Sequence, residues 1–537
     1  MSADALPFDS RRSAVYSTGG MVATSQPLAV QAGVKVLERG GNAADAAVAT
    51  AAALAVTEPT SNGLGGDCFA LYYEAATGAV TALNGSGRAP AALSLDTVTS
   101  LPTYHANTVT VPGVVSGWSA LIERFGSQSL SALLAPAIGL ARDGFPVAPI
   151  TAFFWAAGAR KQLADAANAG ELLIDGRAPR PGELFRNPTV ADSLESIADQ
   201  GAQGFYGGRI AQAIVDVVHA GGGLMSMDDL ASHESTWDEP ISTSYAQHII
   251  YECPPNGQGL VALLALNVLS ELGDLGEPMS AKRLHLTCEA LRLAFADGQR
   301  YIADPAKASV PTEQLLERAY AARRAKLIDP AHARVDVNAG SPLAASDTVY
   351  LTTVDAAGNA CSFIQSNYMG FGTGIVPKGC GFSLQNRGHN FSLDPSHANA
   401  LASGKRPYHT IIPALATRAD GTLYSSFGVM GGFMQPQGHV QVLLALLNDG
   451  SDPQAALDRP RLCIQPAGGP VALEEGTSAQ VQRALTDMGH RVMEVGGPAR
   501  ALFGRGQIIV REQNGVLGAG SDPRADGCAS AAIVDRS

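Results

Sequence analysis

The chain has 537 residues, of which 46% are hydrophobic and only 16% charged, with 59 glycines and a formal net charge of −12. Charged content well below the usual ~25% describes a large buried core with little solvated tail. An acidic balance without clustered Lys/Arg excludes nucleic acid as a partner, and length predicts roughly three to four domains or one large architecture.

The opening residues Met1–Arg12 hold no apolar run behind basic residues, so no secretory leader is expected. Two uncharged stretches, 97–122 and 421–448, are interrupted by Pro102, His105 and Pro112 and by Gln435, Pro436 and His439. They are read as soluble-core segments rather than membrane spans. Seven scattered cysteines without CxxC spacing fit reduced thiols better than a disulfide framework or a zinc site. A cytoplasmic location is expected.

A short strand at Met21–Thr24 precedes two expected helices, Leu28–Arg39 and Ala43–Thr57. The glycine-rich loop Pro59–Asp67 follows, then alternating strands at Cys68–Glu74 and Val80–Asn84. Here a helix precedes the loop and a strand follows it, the reverse of a dinucleotide fingerprint. Close backbone packing is the better reason for these glycines. From Gly113 to Gly298 the pattern is mostly helical, as in Leu284, Cys288, Leu291 and Phe295 at i, i+4, i+7 and i+11.

Residues Asn338–Asp347 are small and aperiodic, and Thr348–Val354 then reads at once as a β-branched strand. A strand-opening threonine ordinarily only caps or turns the chain. Behind a loose linker, it also suits a residue that becomes a new N-terminus, combining hydroxyl nucleophile and α-amine base. Val349–Val354 and Ala360–Gln365 flank the five-residue loop Asp355–Asn359 and predict a hairpin. If Val354 faces Ala360, Thr348 faces Ser366, with Cβ atoms ~4.5–5.5 Å apart. Further on, Gly431 and Gly432 after the strand Leu423–Phe427 are candidate oxyanion donors, or an ordinary turn. Gln385–Asn390 is dense in side-chain donors, as a ligand-reading loop or a solvated turn would be. Helical insertions are expected at Val440–Asn448 and Ser478–Gly489. His389 and His409 lie in the candidate site region. No metal-ligand spacing, GxSxG elbow, HExxH or P-loop is present, so no metal or cofactor is expected. Helices before position 348 and strands after it predict α+β layers of helix on sheet.

In order along the chain stand Gly40–Ala47, Glu58–Gly66, Val111–Gly117, Pro254–Gly259, Glu289–Asp297, Gly372–Gly374, Lys405–Pro407, Met430–Gly432 and Ser521–Arg524. In this order and number they resemble the γ-glutamyltranspeptidase (glutathione hydrolase) family. The resemblance implies an N-terminal-nucleophile αββα sandwich, made as a proenzyme that cuts itself between Asp347 and Thr348. The large subunit would be 1–347 and the small subunit 348–537, with a homodimer of such heterodimers as the higher assembly it allows. Thr348 takes the place of the catalytic threonine, Ser366 that of its supporting hydroxyl (usually threonine), and Gly431 and Gly432 those of the oxyanion glycines.

Departures concern the substrate. Asn390 stands where the family carries an aspartate for the α-ammonium of glutamate, and Arg387 stands for a glutamine. Ser86 occupies the place of the α-carboxylate arginine, with Arg88 two residues on. His409-Thr410 replaces a Ser-Ser pair, and Asn367 is shifted by one position. The implied activity is hydrolysis of γ-glutamyl amides such as glutathione through an acyl-enzyme, with hydrolysis favoured over transpeptidation. The alternatives are a glutaryl-type cephalosporin acylase, a small-acid amidase such as an oxamate hydrolase, or an unprocessed non-catalytic scaffold. A carboxylate-bearing acyl group bound by Arg387 and Arg88, with the α-ammonium read poorly, is the expected substrate chemistry.

Overall fold

Alternation along the strands builds the architecture. In a strand, successive side chains point to opposite faces. Val349 and Leu351 join one hydrophobic cluster, whereas Tyr350 and Val354 join another. The computed structural model describes residues 12–334, 348–465 and 469–533, so Asp347 lies outside the described residues.

Two seven-stranded antiparallel sheets carry the fold. One runs Cys528–Ala532, Gly20–Thr24, Val349–Val354, Ala360–Ser366, Asp67–Glu74, Ala79–Gly85 and Thr236–Asp238. The other runs Val15–Ser17, Leu517–Ser521, Arg505–Arg511, Leu423–Met430, Ala414–Arg418, His248–Glu252 and Ile241–Tyr245. Their inner faces meet through Phe69, Leu71, Tyr350 and Ile364 on one side and Leu415, Met430 and Ile509 on the other, as stacked sheets do.

The outer face of the first sheet, with Val22, Ala70 and Phe363, is covered by helices Pro27–Glu38, Ala43–Thr57 and Val114–Phe125. That of the second, with Ala414, Phe427 and Ile508, is covered by Gly259–Glu271, Met434–Leu443 and Pro453–Asp458. The result is the expected αββα order.

The Ala43–Thr57 helix is buried along its whole length, and Asn42 and Asp45 close a reciprocal capping box at its start. Its alanines let helix and sheet approach closely. The 113–298 stretch departs from its helical reading at 236–252, where three short strands supply sheet edges. Their tertiary pairing overrides a weak local pattern. The second helical insertion runs Ala479–Asp487; the first belongs to a longer element that starts at Met434 and continues through Leu444–Asn448. All seven cysteines are unpaired, six of them buried. No helix among the described residues is long and apolar enough to cross a membrane.

Candidate active site at one end of the sheet gap

The hairpin has the register read from its loop: Val354 faces Ala360 and Val349 faces Gln365. Thr348 therefore comes opposite Ser366, and its Oγ1 donates to Ser366 Oγ at 3.0 Å. Ser366 Oγ also accepts from the Tyr368 N–H at 2.8 Å. Both residues are fully buried. They share the even-numbered face that carries Tyr350, Thr352, Ser362 and Ile364, so they point into the gap between the sheets.

The opposing sheet places the next group. Thr352 Oγ1 meets Ser426 Oγ at 2.5 Å, and a Cβ on Gly428 would stand 2.5 Å from the Tyr350 ring. Two residues further along each strand brings Thr348 over Met430, next to Gly431 and Gly432. These glycines have φ of 139° and 59°, a region that side chains disfavour. Gly431 O accepts from Met434 N at 3.0 Å. Because C=O and N–H of a trans peptide point opposite ways, the Gly432 N–H is directed away from the helix that starts at Met434.

The glycine-rich loop locks the same corner from the other side. A Cβ on Gly65 would stand 2.2 Å from Ser383 O, and one on Gly66 2.5 Å from Ser366 O. Its last residue, Asp67, pairs with Ser366 across the sheet and points inward. Asp67 accepts from Gln385 Nε2 at 2.8 Å and from the Gly87 N–H at 2.9 Å. Its Oδ2 lies 3.0 Å from His409 Nε2. His409 Nδ1 accepts from the Ile411 N–H, so Nε2 carries the proton that faces Asp67. Burial holds the His409 imidazole well below its ordinary pKa, aided by Arg387 and Arg406. The pair is thus a neutral imidazole donating to a carboxylate rather than an ion pair. Burial also lifts the Asp67 carboxyl to about 7, against the pull of Arg387.

Arg387 lies in the donor-rich loop Gln385–Asn390. It is fully buried, its Nη1 donates to Thr410 Oγ1 at 2.7 Å, and its guanidinium lies 4.2 Å from the centre of the Tyr368 ring. Nε and Nη2, which form one edge of the guanidinium fork, have no hydrogen-bond partner among the described residues. Asn367 Oδ1 and Gln385 Oε1 are likewise buried without a partner, while Asn367 Nδ2 donates to Ser383 Oγ at 3.2 Å. Buried polar groups are ordinarily paired, so the unpaired Arg387 donors are an exception that a polar ligand would satisfy.

The other expected contacts divide. Asn390 is already engaged: Oδ1 accepts from Tyr368 OH at 2.5 Å and Nδ2 donates to Tyr408 O at 3.0 Å. Arg88 is not brought to Arg387 by its contacts; its Nη1 donates to the Glu234 carbonyl at 3.3 Å. Among the described residues no contact joins it to Arg387, so the two-arginine clamp expected from sequence rests on Arg387 alone in the contacts seen. Ser86 is buried and donates to Asn84 Oδ1 at 2.7 Å. His389 Nδ1 lies 2.7 Å from the Leu101 carbonyl. Beside the segment that follows Tyr368, a cavity of about 130 Å³ is lined by Thr60, Tyr104, Phe154, Lys161, Met369 and Phe371.

Sequence reasoning missed Asp67, Gln258, Tyr368 and Tyr408 as parts of this site. Asp67 closes the glycine-rich loop and Gln258 sits in Pro254–Gly259, so motif membership was the available signal. Among the described residues one other cluster has ligand-type residues: His285, Glu289 and His490, all buried. Arg292 Nη1 lies 3.3 Å from His490 Nδ1, His490 Nε2 lies 2.8 Å from His285 Nδ1, and His285 Nε2 lies 2.8 Å from Asp329 O. With a guanidinium donating at one end and a carbonyl accepting at the other, every proton in the chain is assigned. A cation there would need the His490 lone pair that this ordering uses up, so the cluster fits a hydrogen-bond relay better than a metal centre.

Two facing antiparallel sheets, helices on both outer faces and a strand-opening hydroxyl at one end of the gap define the N-terminal-nucleophile hydrolase architecture. Within that class the chain belongs to the gamma-glutamyltranspeptidase family, which its residues 29–532 match. It is 37% identical over 524 residues to the glutathione hydrolase-like YwrD proenzyme of Bacillus subtilis, covering 96% of this chain and 99% of that one. It is 34% identical over 527 residues to the oxamate amidohydrolase proenzyme of Klebsiella pneumoniae, covering 96% and 98%. The crystal structure of cephalosporin acylase from Bacillus halodurans superposes with a TM-score of 0.89 at 46% identity, covering 98% of each chain.

Proposed function

We propose that this chain is a self-processing amide hydrolase whose nucleophile is Thr348. The observation that carries the reading is the Thr348 Oγ1–Ser366 Oγ hydrogen bond of 3.0 Å, fully buried on the inward face of the sheet. In the intact chain the α-nitrogen of Thr348 is tied up in the peptide with Asp347. The hydroxyl attacks the Asp347 carbonyl, the acyl group moves from nitrogen to oxygen, and water hydrolyses that ester. The products are a 1–347 large subunit ending in a carboxylate and a 348–537 small subunit with a free α-amine. An α-amino pKa near ~8 suits a general base at neutral pH.

In turnover that amine takes the hydroxyl proton as Oγ1 attacks the substrate carbonyl. The Gly431 and Gly432 N–H groups stabilise the oxyanion, and the proton passes to the leaving amine. Water then releases the acid from the acyl ester. The cavity at Tyr104, Phe154 and Lys161 offers room for the amine portion.

For the acyl group, the unpaired Arg387 fork supports a carboxylate-bearing chain, held by Nε and Nη2 together. γ-Glutamyl amides such as glutathione fall within this class, as do glutaryl amides and oxamate; water is favoured over amine acceptors. Asn390, with both polar ends engaged, supports weak reading of an α-ammonium. Unpaired cysteines support a reducing, cytoplasmic setting.

Intact mass separates this reading from an unprocessed scaffold: the wild type should yield a new N-terminus at Thr348. A panel of glutathione, glutaryl para-nitroanilide, γ-glutamyl para-nitroanilide and oxamate then reads the acyl group. Comparable kcat/KM for the glutaryl and γ-glutamyl anilides supports the proposal. Strict dependence on the α-amino group overturns its substrate part.

A further inference from the structure

Gln258 joins the two halves of the proposed acyl site. It is fully buried at the start of the Gly259–Glu271 helix, and its side chain is saturated. Nε2 donates to Thr410 O at 2.6 Å and to Gly432 O at 2.8 Å, while Oε1 accepts from Tyr408 OH at 3.1 Å. Its own N–H donates to His409 O at 3.0 Å. Gly432 belongs to the oxyanion turn. Thr410 holds Arg387 through its hydroxyl, and the Tyr408 carbonyl holds Asn390.

Because both carbonyls bind one nitrogen, their oxygens stand no farther apart than those two bonds laid end to end. The turn that would receive the scissile carbonyl and the segment that seats the guanidinium are therefore tied at a fixed spacing. A ligand bound at both ends must span that spacing.

We propose that Gln258 is a positioning residue that sets the distance between the oxyanion glycines and the Arg387 fork, and thereby selects the length of the acyl chain. This rests on Thr348 as nucleophile and Arg387 as carboxylate anchor. A carboxamide fits this role because it offers two donors on one nitrogen, and Tyr408 fixes which end faces the carbonyls. An asparagine falls one methylene short and cannot reach both. A methionine keeps the volume and loses all three bonds.

The test uses processed protein and the mono-para-nitroanilides of malonic, succinic, glutaric and adipic acids, each of which keeps one free carboxylate. The wild type should have one best length. Gln258→Asn and Gln258→Met should move that optimum by a methylene, or reduce the preference for the best length over its neighbours by about tenfold. The loss should fall on kcat more than on KM, since the carbonyl is displaced while the anchor remains. Tyr408→Phe, which removes only the hydroxyl that orients Gln258, should shift the profile in the same direction by less, and serves if the Gln258 variants do not fold. A flat wild-type profile, or variants that keep both the wild-type optimum and the wild-type preference for it over its neighbours, overturns the inference. Absence of processing and of all hydrolysis in the wild type would instead overturn the nucleophile reading beneath it.

Discussion

Replacing Arg387 by methionine tests the acyl-group assignment most directly. The guanidinium has one hydrogen bond, to Thr410, a ring contact with Tyr368, and an unpaired Nε/Nη2 edge. A carboxylate docked on that edge makes two charge-assisted hydrogen bonds, each worth about 1.5–3 kcal/mol. Their loss should remove at least about 3 kcal/mol of discrimination, roughly two orders of magnitude at 1.4 kcal/mol per tenfold. The assay compares kcat/KM for glutaryl and pentanoyl para-nitroanilide, which match in length and differ in the carboxylate. Wild type should prefer the glutaryl substrate strongly, and Arg387→Met should lose that preference with its pentanoyl rate largely retained. Exchange of a buried, incompletely paired charge for an apolar chain should leave stability similar or higher, so unfolding would not account for the result. A glutaryl-to-pentanoyl ratio within threefold of wild type would refute the assignment of the carboxylate to Arg387.

Thr348→Ala should remain a single chain by intact mass and show no hydrolysis; Ser366→Ala, which removes the 3.0 Å bond to Thr348 and the 2.8 Å bond from the Tyr368 N–H, should process at least about tenfold more slowly, since each hydrogen bond is worth about 0.5–1.5 kcal/mol. The Asp67 carboxyl, raised from 3.8 to about 7 by burial, favours its protonated form on folding. The stability it brings is complete below about 3.8 and is lost as pH rises to about 7. Wild-type stability relative to Asp67→Asn should therefore fall across that window with a slope approaching about 1.4 kcal/mol per pH unit. Urea midpoints that run parallel for the two proteins would contradict this. Gly428→Ala puts a Cβ 2.5 Å from the Tyr350 ring and should destabilise by about 1–3 kcal/mol; an unchanged denaturation midpoint would mean the sheets are not in contact there.

What the sequence by itself determined is local. The five-residue loop Asp355–Asn359 sets the hairpin register, and period-two pairing then carries Thr348 to Ser366 without knowledge of any other segment. The buried alanine helix Ala43–Thr57 and the close-packed glycines 63–66 were legible for the same reason: their composition admits few other uses. The strands of 236–252 were not, because short half-buried strands are stabilised by neighbours far along the chain. The candidate site shows the same division. Asp67, Gln258, Arg387, His409 and Gly432 come from five separate segments, and only the face-to-face stacking of two sheets brings them to one end of the gap. That Arg387 keeps an unpaired fork while Arg88 turns to the Glu234 carbonyl depends on which acceptors lie within a few ångströms. Such distances are set by packing across the fold, which one-dimensional spacing does not encode.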